Sequence, residues 1–252
     1  MYDSPPPQPA APPPDRRWSG AEPVRKQPPV TLTLLAITVG VFILQLASEM
    51  TLGVDYPAVM GMKVNNLIVS GDLWRLITPM FLHGSILHLG FNMYALYIIG
   101  PGLERYYGWQ RYLALYILAG FAGNVVSFLF SAAPSLGSST AIFGLIGAQG
   151  VFFYRNRQIF GAPAQRALMN ILMIAAVNLV IGMSPGIDNW GHIGGLIGGT
   201  LFAWFAGPLF RLEGGYFAPL LVDEHDSSDT LRAGLAVAAL FSFLAAIGIF
   251  QG

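Results

Sequence analysis

The strongest constraint on this chain is a set of long stretches that contain no charged residue. The 252 residues include only 13 basic and 13 acidic side chains, or 10%, whereas a soluble domain carries about 25%. A membrane-spanning helix needs about 20 apolar residues, and every uncharged stretch is long enough for at least one. The uncharged stretches are residues 27–48, 76–103, 112–154, 167–187, 189–210 and 233–252.

These stretches predict an all-α fold, a polytopic membrane helix bundle with seven spans. The longest stretch holds two helices, because residues 134–140 are rich in turn-forming side chains. Ten prolines among the first 30 residues predict a disordered, proline-rich tail over 1–29, and 211–232 is predicted to be a linker. The predicted spans are 30–48, 85–103, 111–131, 139–154, 167–184, 190–210 and 233–250.

The distribution of Lys and Arg predicts the orientation in the membrane. With the N-terminus in the cytoplasm, eleven of the 13 basic residues fall in inside segments, and only Lys63 and Arg75 fall outside. The seventh span then puts the C-terminus outside, and the linker 211–232 is cytoplasmic. The lack of a signal or transit peptide favours the plasma membrane of a prokaryote.

Composition also excludes several classes of function. The net charge is zero, so the chain lacks the basic surface by which proteins bind nucleic acid. Cysteine is absent, which excludes disulfides, thiolate metal sites and cysteine nucleophiles. The chemistry of the chain therefore has to come from the few polar residues that fall within the predicted spans.

The first polar cluster enters the second span. His88 and Asn92 are four residues apart, so they share a helix face and can line a polar pocket. The pair can equally serve only to hydrogen-bond two helices together. A metal site is a third interpretation, but it needs His83, His88 and a further ligand that the spacing does not reveal.

The second and third clusters open spans four and six. Ser139 starts a short span, where it can cap the helix or lie at the free N–H groups that suit an oxyanion. His192 directly follows Gly191, and the glycines at 191, 195 and 199 recur at every fourth residue, a spacing that lets another helix approach closely. Packing of these two spans would permit a Ser139–His192 dyad. Asp188, at the mouth of the sixth span, is expected to be exposed, which leaves the dyad without a third member.

Four segments together resemble the rhomboid family of intramembrane serine proteases. The first is the run GDLWRLITPMFLHGSILHLGFNM at 71–93, and the others lie at 102–105, 137–147 and 189–195. The resemblance covers about residues 30–210 and implies a six-helix rhomboid catalytic core, with 233–252 as an additional C-terminal transmembrane helix.

The resemblance also implies a role for each matching residue. Ser139 corresponds to the nucleophile and His192 to the general base, whereas His88, Asn92 and the Ser139 backbone N–H correspond to the oxyanion hole. Phe143 corresponds to the aromatic residue that packs on the catalytic histidine. The other supporting positions are His83, Gly195, Trp74 and Arg75 of the first outer loop, and Glu104 and Arg105 of an inner stabilising motif. Thr140 stands where the family most often has glycine, and its side chain is expected to narrow the pocket or to cap the helix.

The function implied is hydrolysis of transmembrane or juxtamembrane segments of membrane proteins within the lipid bilayer, without a metal or organic cofactor. One alternative is a catalytically inactive rhomboid-like protein that binds membrane-protein clients. Another is a transporter or channel, which would need polar residues through the full depth of its spans. The polar clusters instead gather at one end of the predicted spans, which favours the protease.

Overall fold

The computed structural model describes residues 17–18, 28–214 and 220–251, so most of the predicted tail at 1–29 lies outside the described residues. Two 3₁₀ segments, Leu73–Leu76 and Thr78–Phe81, precede the longest helix. The α-helices are α1 (Pro29–Leu52), α2 (Tyr56–Gly61), α3 (Asn65–Val69), α4 (Ile86–Phe130), α5 (Ser139–Arg155), α6 (Arg157–Phe160), α7 (Ala162–Ile181), α8 (Asn189–Ala206) and α9 (Ser227–Gln251).

Helix length and composition make this a multi-pass membrane protein. Among the described residues, α1, α4, α7 and α9 are long and apolar enough to cross a membrane. Helices α5 and α8 have 17 and 18 residues, and 17 residues rise only about 26 Å, less than the ~30 Å of a hydrocarbon core. The predicted all-α, polytopic helix bundle is confirmed, while the count of seven spans stays a prediction.

The second and third predicted spans lie in the two segments of α4, one on each side of a break at Gly108. Gly108 interrupts the helical geometry with φ 74° and ψ 159°, a conformation that a side chain would disfavour. The chain therefore turns at this residue, and α4 consists of two helical segments. The predicted spans 85–103 and 111–131 leave a break between them, and Gly108 lies within that break.

Glycines let three helices pack at the centre of the bundle. A Cβ atom on Gly144 of α5 would lie 2.1 Å from the Cβ of Ala119 on α4, and one on Gly198 of α8 would lie 2.4 Å from that of Ala122. Helices α5 and α8 themselves meet backbone to backbone, since a Cβ on Gly199 would lie 2.3 Å from the Gly144 carbonyl oxygen. Such close approach maximises van der Waals contact where no hydrophobic effect drives association.

The loop between α1 and α4 is folded around one buried arginine. The Arg75 side chain is 4% exposed, pairs with Asp72, and donates hydrogen bonds to the carbonyls of Val59 and Met62. The neighbouring Trp74 indole N–H donates to the Met60 carbonyl at 3.0 Å. These bonds satisfy backbone groups that the turns leave free, so the Trp74–Arg75 pair holds the loop in one conformation.

A small sheet occupies part of the segment predicted to be a plain linker. Strands β2 (Phe210–Glu213) and β3 (Leu220–Asp223) pair antiparallel, and β1 (Arg17–Trp18) pairs with the other edge of β3. Arg111 of α4 connects this sheet to the bundle, because its guanidinium contacts the Asp223 carboxylate at 2.5 Å. Strands of four residues carry too little alternation for a sequence to reveal them.

Candidate active site

Ser139 and His192 meet at one end of the bundle. Ser139 is the first residue of α5, and its Oγ lies 3.0 Å from Nε2 of His192, which is carried by α8. For Nε2 to accept the serine proton, the ring hydrogen must sit on Nδ1. Nδ1 has no hydrogen-bond partner among the described residues, so the pair has the geometry of a dyad.

The glycines of α8 allow this distance. A Cβ atom on Gly195 would lie 1.9 Å from the carbonyl oxygen of Thr140, which directly follows the serine. His192 lies nearly one turn before Gly195 on the same helix, so the contact of Gly195 with α5 also sets the position of the imidazole. Gly195 therefore supports the Ser139–His192 distance through backbone packing.

An aromatic ring holds the imidazole from the side of α5. The ring of Phe143 stacks on that of His192 with centroids 4.2 Å apart and an angle of 11° between the planes. Phe143 is one turn after Ser139, so both groups that contact the imidazole belong to the same short helix. Stacking of this kind adds about 0.5–1.5 kcal/mol and limits rotation of the ring.

The structure brings His88 close to the serine. A Cβ atom on Gly137 would lie 2.8 Å from Nε2 of His88 and 3.7 Å from Oγ of Ser139, so both side chains border this glycine. Gly137 has φ +136°, which permits the turn before α5. Asn92 is buried one turn after His88 and donates one amide hydrogen to the His88 carbonyl at 2.9 Å, leaving its second amide hydrogen for another acceptor.

His83 lies behind His88. Its ring is buried and meets the His88 ring edge-on, with ring centroids 5.0 Å apart. Its Nε2 lies 3.3 Å from the hydroxyl oxygen of Ser138. Gln45 of α1 holds the His83 backbone from both sides, accepting from its N–H and donating to its carbonyl, each at 3.1 Å. The sequence does not indicate this contact, because a single glutamine in an apolar helix gives no signal of its partner.

Thr140 neither narrows the pocket nor caps the helix, the two roles expected from the sequence. Its side chain is 4% exposed and lies against Gly123 of α4 and Gly191 of α8, so it fills a helix interface. The hydroxyl has no hydrogen-bond partner among the described residues, which excludes a capping role there. Thr140 therefore adds volume between helices.

Glu104 and Arg105 lie away from this site. The Glu104 carboxylate accepts hydrogen bonds from the backbone N–H groups of Val30 and Thr31 and from the Thr31 hydroxyl, at 2.7–2.8 Å. It thereby caps the first turn of α1, where helix N–H groups have no internal partner. Arg105 is exposed and borders a cavity of about 740 Å³ between α4 and α9.

Two charged residues near the site were not anticipated as part of it. Asp188 is only partly exposed, and its carboxylate accepts the Gly191 N–H at 3.0 Å, so the expectation of an exposed Asp188 is wrong. Lys63 is fully buried in the loop before α4. Within residues 28–214 and 220–251, no group of three or more histidine or acidic side chains is arranged to hold a metal ion.

Comparison with known proteins places the chain in a family. The model of the Rhomboid domain matches residues 70–209. Rhomboid protease GluP of Bacillus subtilis (strain 168) is 40% identical over 178 residues, which cover 70% of this chain and 34% of that protein. RHOMBOID-like protein 9, chloroplastic, of Arabidopsis thaliana is 34% identical over 187 residues, covering 72% of this chain and 43% of that protein.

RHOMBOID-like protein 5 of Arabidopsis thaliana shows the longest overlap of these three relative to its own length, with 36% identity over 176 residues that cover 68% of this chain and 56% of that protein. The matched region thus spans between about a third and just over half of each relative. The family model covers more than half of this chain and includes Ser139, His192, His88 and Asn92. This protein belongs to the rhomboid family.

Proposed function

We propose that this chain is an intramembrane serine endopeptidase that cleaves transmembrane or juxtamembrane segments of membrane proteins. The observation that carries the proposal is the 3.0 Å contact between Ser139 Oγ and His192 Nε2. A hydroxyl within hydrogen-bond reach of a neutral imidazole is the arrangement that activates serine as a nucleophile. Similarity to a protein named rhomboid protease, GluP, supports the same activity.

The two side chains suffice for the covalent chemistry. Ser139 Oγ attacks the carbonyl carbon of the scissile peptide bond while its proton passes to His192 Nε2. Collapse of the tetrahedral intermediate breaks the C–N bond, and His192 returns the proton to the leaving amine. A water molecule, deprotonated by His192, then attacks the acyl ester, which releases the new carboxyl end and restores the Ser139 hydroxyl.

Three donors are proposed to stabilise the oxyanion. The Ser139 N–H lies in the first turn of α5, where backbone N–H groups have no intrahelical acceptor and the helix dipole favours negative charge. His88 borders the same glycine as the serine, and Asn92 has an amide hydrogen to spare. Donors that are already oriented stabilise developing charge more than water does.

The bilayer dictates the kind of substrate. Carbonyls in the interior of a membrane-embedded helix are already hydrogen-bonded within the helix, so the scissile segment must unwind before the serine can attack. Segments with small or helix-weakening residues near the cut are therefore the expected substrates. We further propose that the N-terminus is cytoplasmic, the C-terminus lies outside, and the Ser139 end of the bundle opens to the outside of a prokaryotic plasma membrane, because Lys63 and Arg75 are the only basic residues on that side of the predicted topology.

The test is serine-directed labelling combined with cleavage of a single-span reporter in liposomes. The wild-type protein should react with a fluorophosphonate and cut the reporter, whereas Ser139→Ala and His192→Ala should do neither while keeping the wild-type melting temperature. Ser184→Ala is the matched control, since Ser184 is an exposed serine outside the site, and it should behave as wild type.

Two results would contradict the proposal. Cleavage by purified Ser139→Ala would show that another group is the nucleophile. A folded wild-type protein that binds the reporter but neither cuts it nor reacts with the probe would instead support the inactive, client-binding alternative.

A further inference from the structure

A buried lysine lies close to the catalytic end of the bundle. Lys63 is 0% exposed, and its Nζ donates to the carbonyl of Ser131 at 2.8 Å and approaches that of Ser127 at 3.4 Å. Ser127 lies in the last turn of α4 and Ser131 is its C-cap residue, so the Lys63 ammonium lies at the negative end of the helix dipole, where a cation is favoured. Lys63 therefore caps α4 from the loop between α1 and α4.

The backbone of Lys63 also holds the segment that leads to the nucleophile. Lys63 and Ser135 form an antiparallel bridge, with N···O distances of 2.9 and 3.1 Å in the two directions. Ser135 is four residues before Ser139, so the bridge restrains the approach to α5. One buried residue thus connects the end of α4 with the segment before the serine.

Asp188 connects the same cluster to the helix that carries the base. Its Oδ1 accepts the Gly191 N–H at 3.0 Å, which caps α8, and its Oδ2 accepts the Ser127 hydroxyl at 2.5 Å. Ser127 lies between the two charges, because its carbonyl faces the Lys63 ammonium while its hydroxyl binds the Asp188 carboxylate. The backbone N–H of His192 donates to the Asp188 carbonyl at 3.2 Å, so the base is one helical turn from this carboxylate.

The cluster supplies a negative charge where the proposed reaction creates a positive one. His192 becomes an imidazolium after it accepts the serine proton, and its Nδ1 has no hydrogen-bond acceptor among the described residues. A carboxylate one turn away attracts that cation through a partly buried, low-dielectric environment. Burial lowers the pKa of Lys63 to about 8, with the charge of Asp188 acting in the opposite direction, so Lys63 still carries its charge at neutral pH.

We propose that Asp188 is a positioning residue of the proposed protease: its carboxylate, held by Ser127 and balanced by Lys63, orients the start of α8 and stabilises the His192 imidazolium by charge. Asp188 acts without a hydrogen bond to the imidazole, unlike the acid of a catalytic triad, which hydrogen-bonds the histidine directly. The inference rests on the proposed function, since it concerns the protonated state of the same histidine.

The Asp188→Asn variant removes the negative charge of the side chain but keeps its ability to cap α8. Asparagine caps helices as well as aspartate does, and the Ser127 hydroxyl can accept from an amide instead of donating to a carboxylate, so the fold of α8 is retained. Removal of the charge should lower kcat on the single-span reporter about tenfold, while KM and the melting temperature stay at wild-type values. The rate of fluorophosphonate labelling should fall by the same factor, because that reaction also needs His192 as the base.

Two further variants complete the test. Ser127→Ala removes the hydroxyl that holds Oδ2 and should lower kcat by a smaller factor, about threefold. Asp229→Asn is the matched control, because it removes an acidic charge from the first turn of α9, near where His225 contacts Gly207 after the end of α8, whereas His192 lies at the start of α8, and it should leave kcat unchanged.

The outcomes distinguish the inference from the function on which it rests. A kcat for Asp188→Asn within twofold of wild type, with the wild type active, would overturn the role of Asp188 and leave the protease intact. If Asp188→Asn keeps its activity while Asp188→Ala loses activity and has a lower melting temperature, Asp188 serves only as a helix cap and the proposal is wrong. A wild-type protein that neither cleaves nor reacts would refute the proposed function and this inference with it.

Discussion

Gly195→Ala tests whether helix packing sets the distance between Ser139 and His192. Gly195 lies on α8 against the carbonyl of Thr140, and a Cβ atom there would stand 1.9 Å from that oxygen. The obstacle is backbone of α5, so no side-chain rotation can relieve the contact. The two helices have to move apart, and they carry His192 and Ser139 with them.

The size of the movement follows from the contact distances. Ordinary contact of a Cβ atom begins at 3.4 Å, so the interface must open by about 1.5 Å, from 3.4 minus 1.9. Ser139 and His192 are now 3.0 Å apart, and a comparable displacement would take them beyond hydrogen-bond distance. A misplacement of about 1 Å costs roughly 100-fold in rate, and an overfilled interface costs about 1–3 kcal/mol of stability.

The assay measures kcat on the single-span reporter and the melting temperature of the same purified sample. Gly195→Ala should lose about 100-fold in kcat and melt at a lower temperature. Gly40→Ala is the control, because Gly40 lies in α1 with no atom within 4 Å of its Cβ position, and it should retain full activity. The reasoning fails if Gly195→Ala keeps kcat within threefold of wild type, since α5 and α8 would then be free to adjust without moving the dyad.

Three further outcomes are expected. His88→Ala and Asn92→Ala should each lower kcat by about 10²–10³ without changing the melting temperature, and full activity in either would remove it from the oxyanion hole. Glu104→Gln should lower stability by about 2 kcal/mol, seen as a lower melting temperature with kcat intact, because an amide cannot accept all three hydrogen bonds from the start of α1. Lys63 has a folded pKa of about 8, below its usual 10.5, so the unfolded chain binds more protons between these values and stability should rise with pH through that window. Lys63→Met should remove that rise, and an identical pH dependence in both proteins would refute the assignment.

Much of the fold follows from the sequence because the membrane leaves few choices. A segment without charge has to satisfy its own backbone in lipid, and a helix is the one local structure that does so. The predicted start of the fourth span at Ser139 coincides with the start of α5, since the preceding segment contains Pro134 and Gly137, which do not continue a helix. Strands β2 and β3 escaped prediction, because such short strands produce no long periodic pattern.

Some residues of the candidate site could likewise be predicted from the sequence, and others could not. Polar side chains within spans were conspicuous because they are costly there, so Ser139, His192, His88 and Asn92 could be singled out from residue type and position. Gln45 is a single glutamine in an apolar helix and gives no signal of its partner, whereas Lys63 lies in a loop, where a charged side chain is expected to face solvent. Their partners, His83 and the end of α4, are brought to them only by the fold.

The sequence by itself determined that the chain is a helical membrane protein, which side chains are out of place in lipid, and which helices bear them. Only the tertiary structure decided that Ser139 and His192 stand 3.0 Å apart, that Thr140 fills a helix interface, and that Asp188 is tied to Lys63 through Ser127. Hydropathy is a local property, because it depends only on the side chains of the segment itself. Distances between helices depend on which glycines face which backbones, and that is settled only when the helices pack.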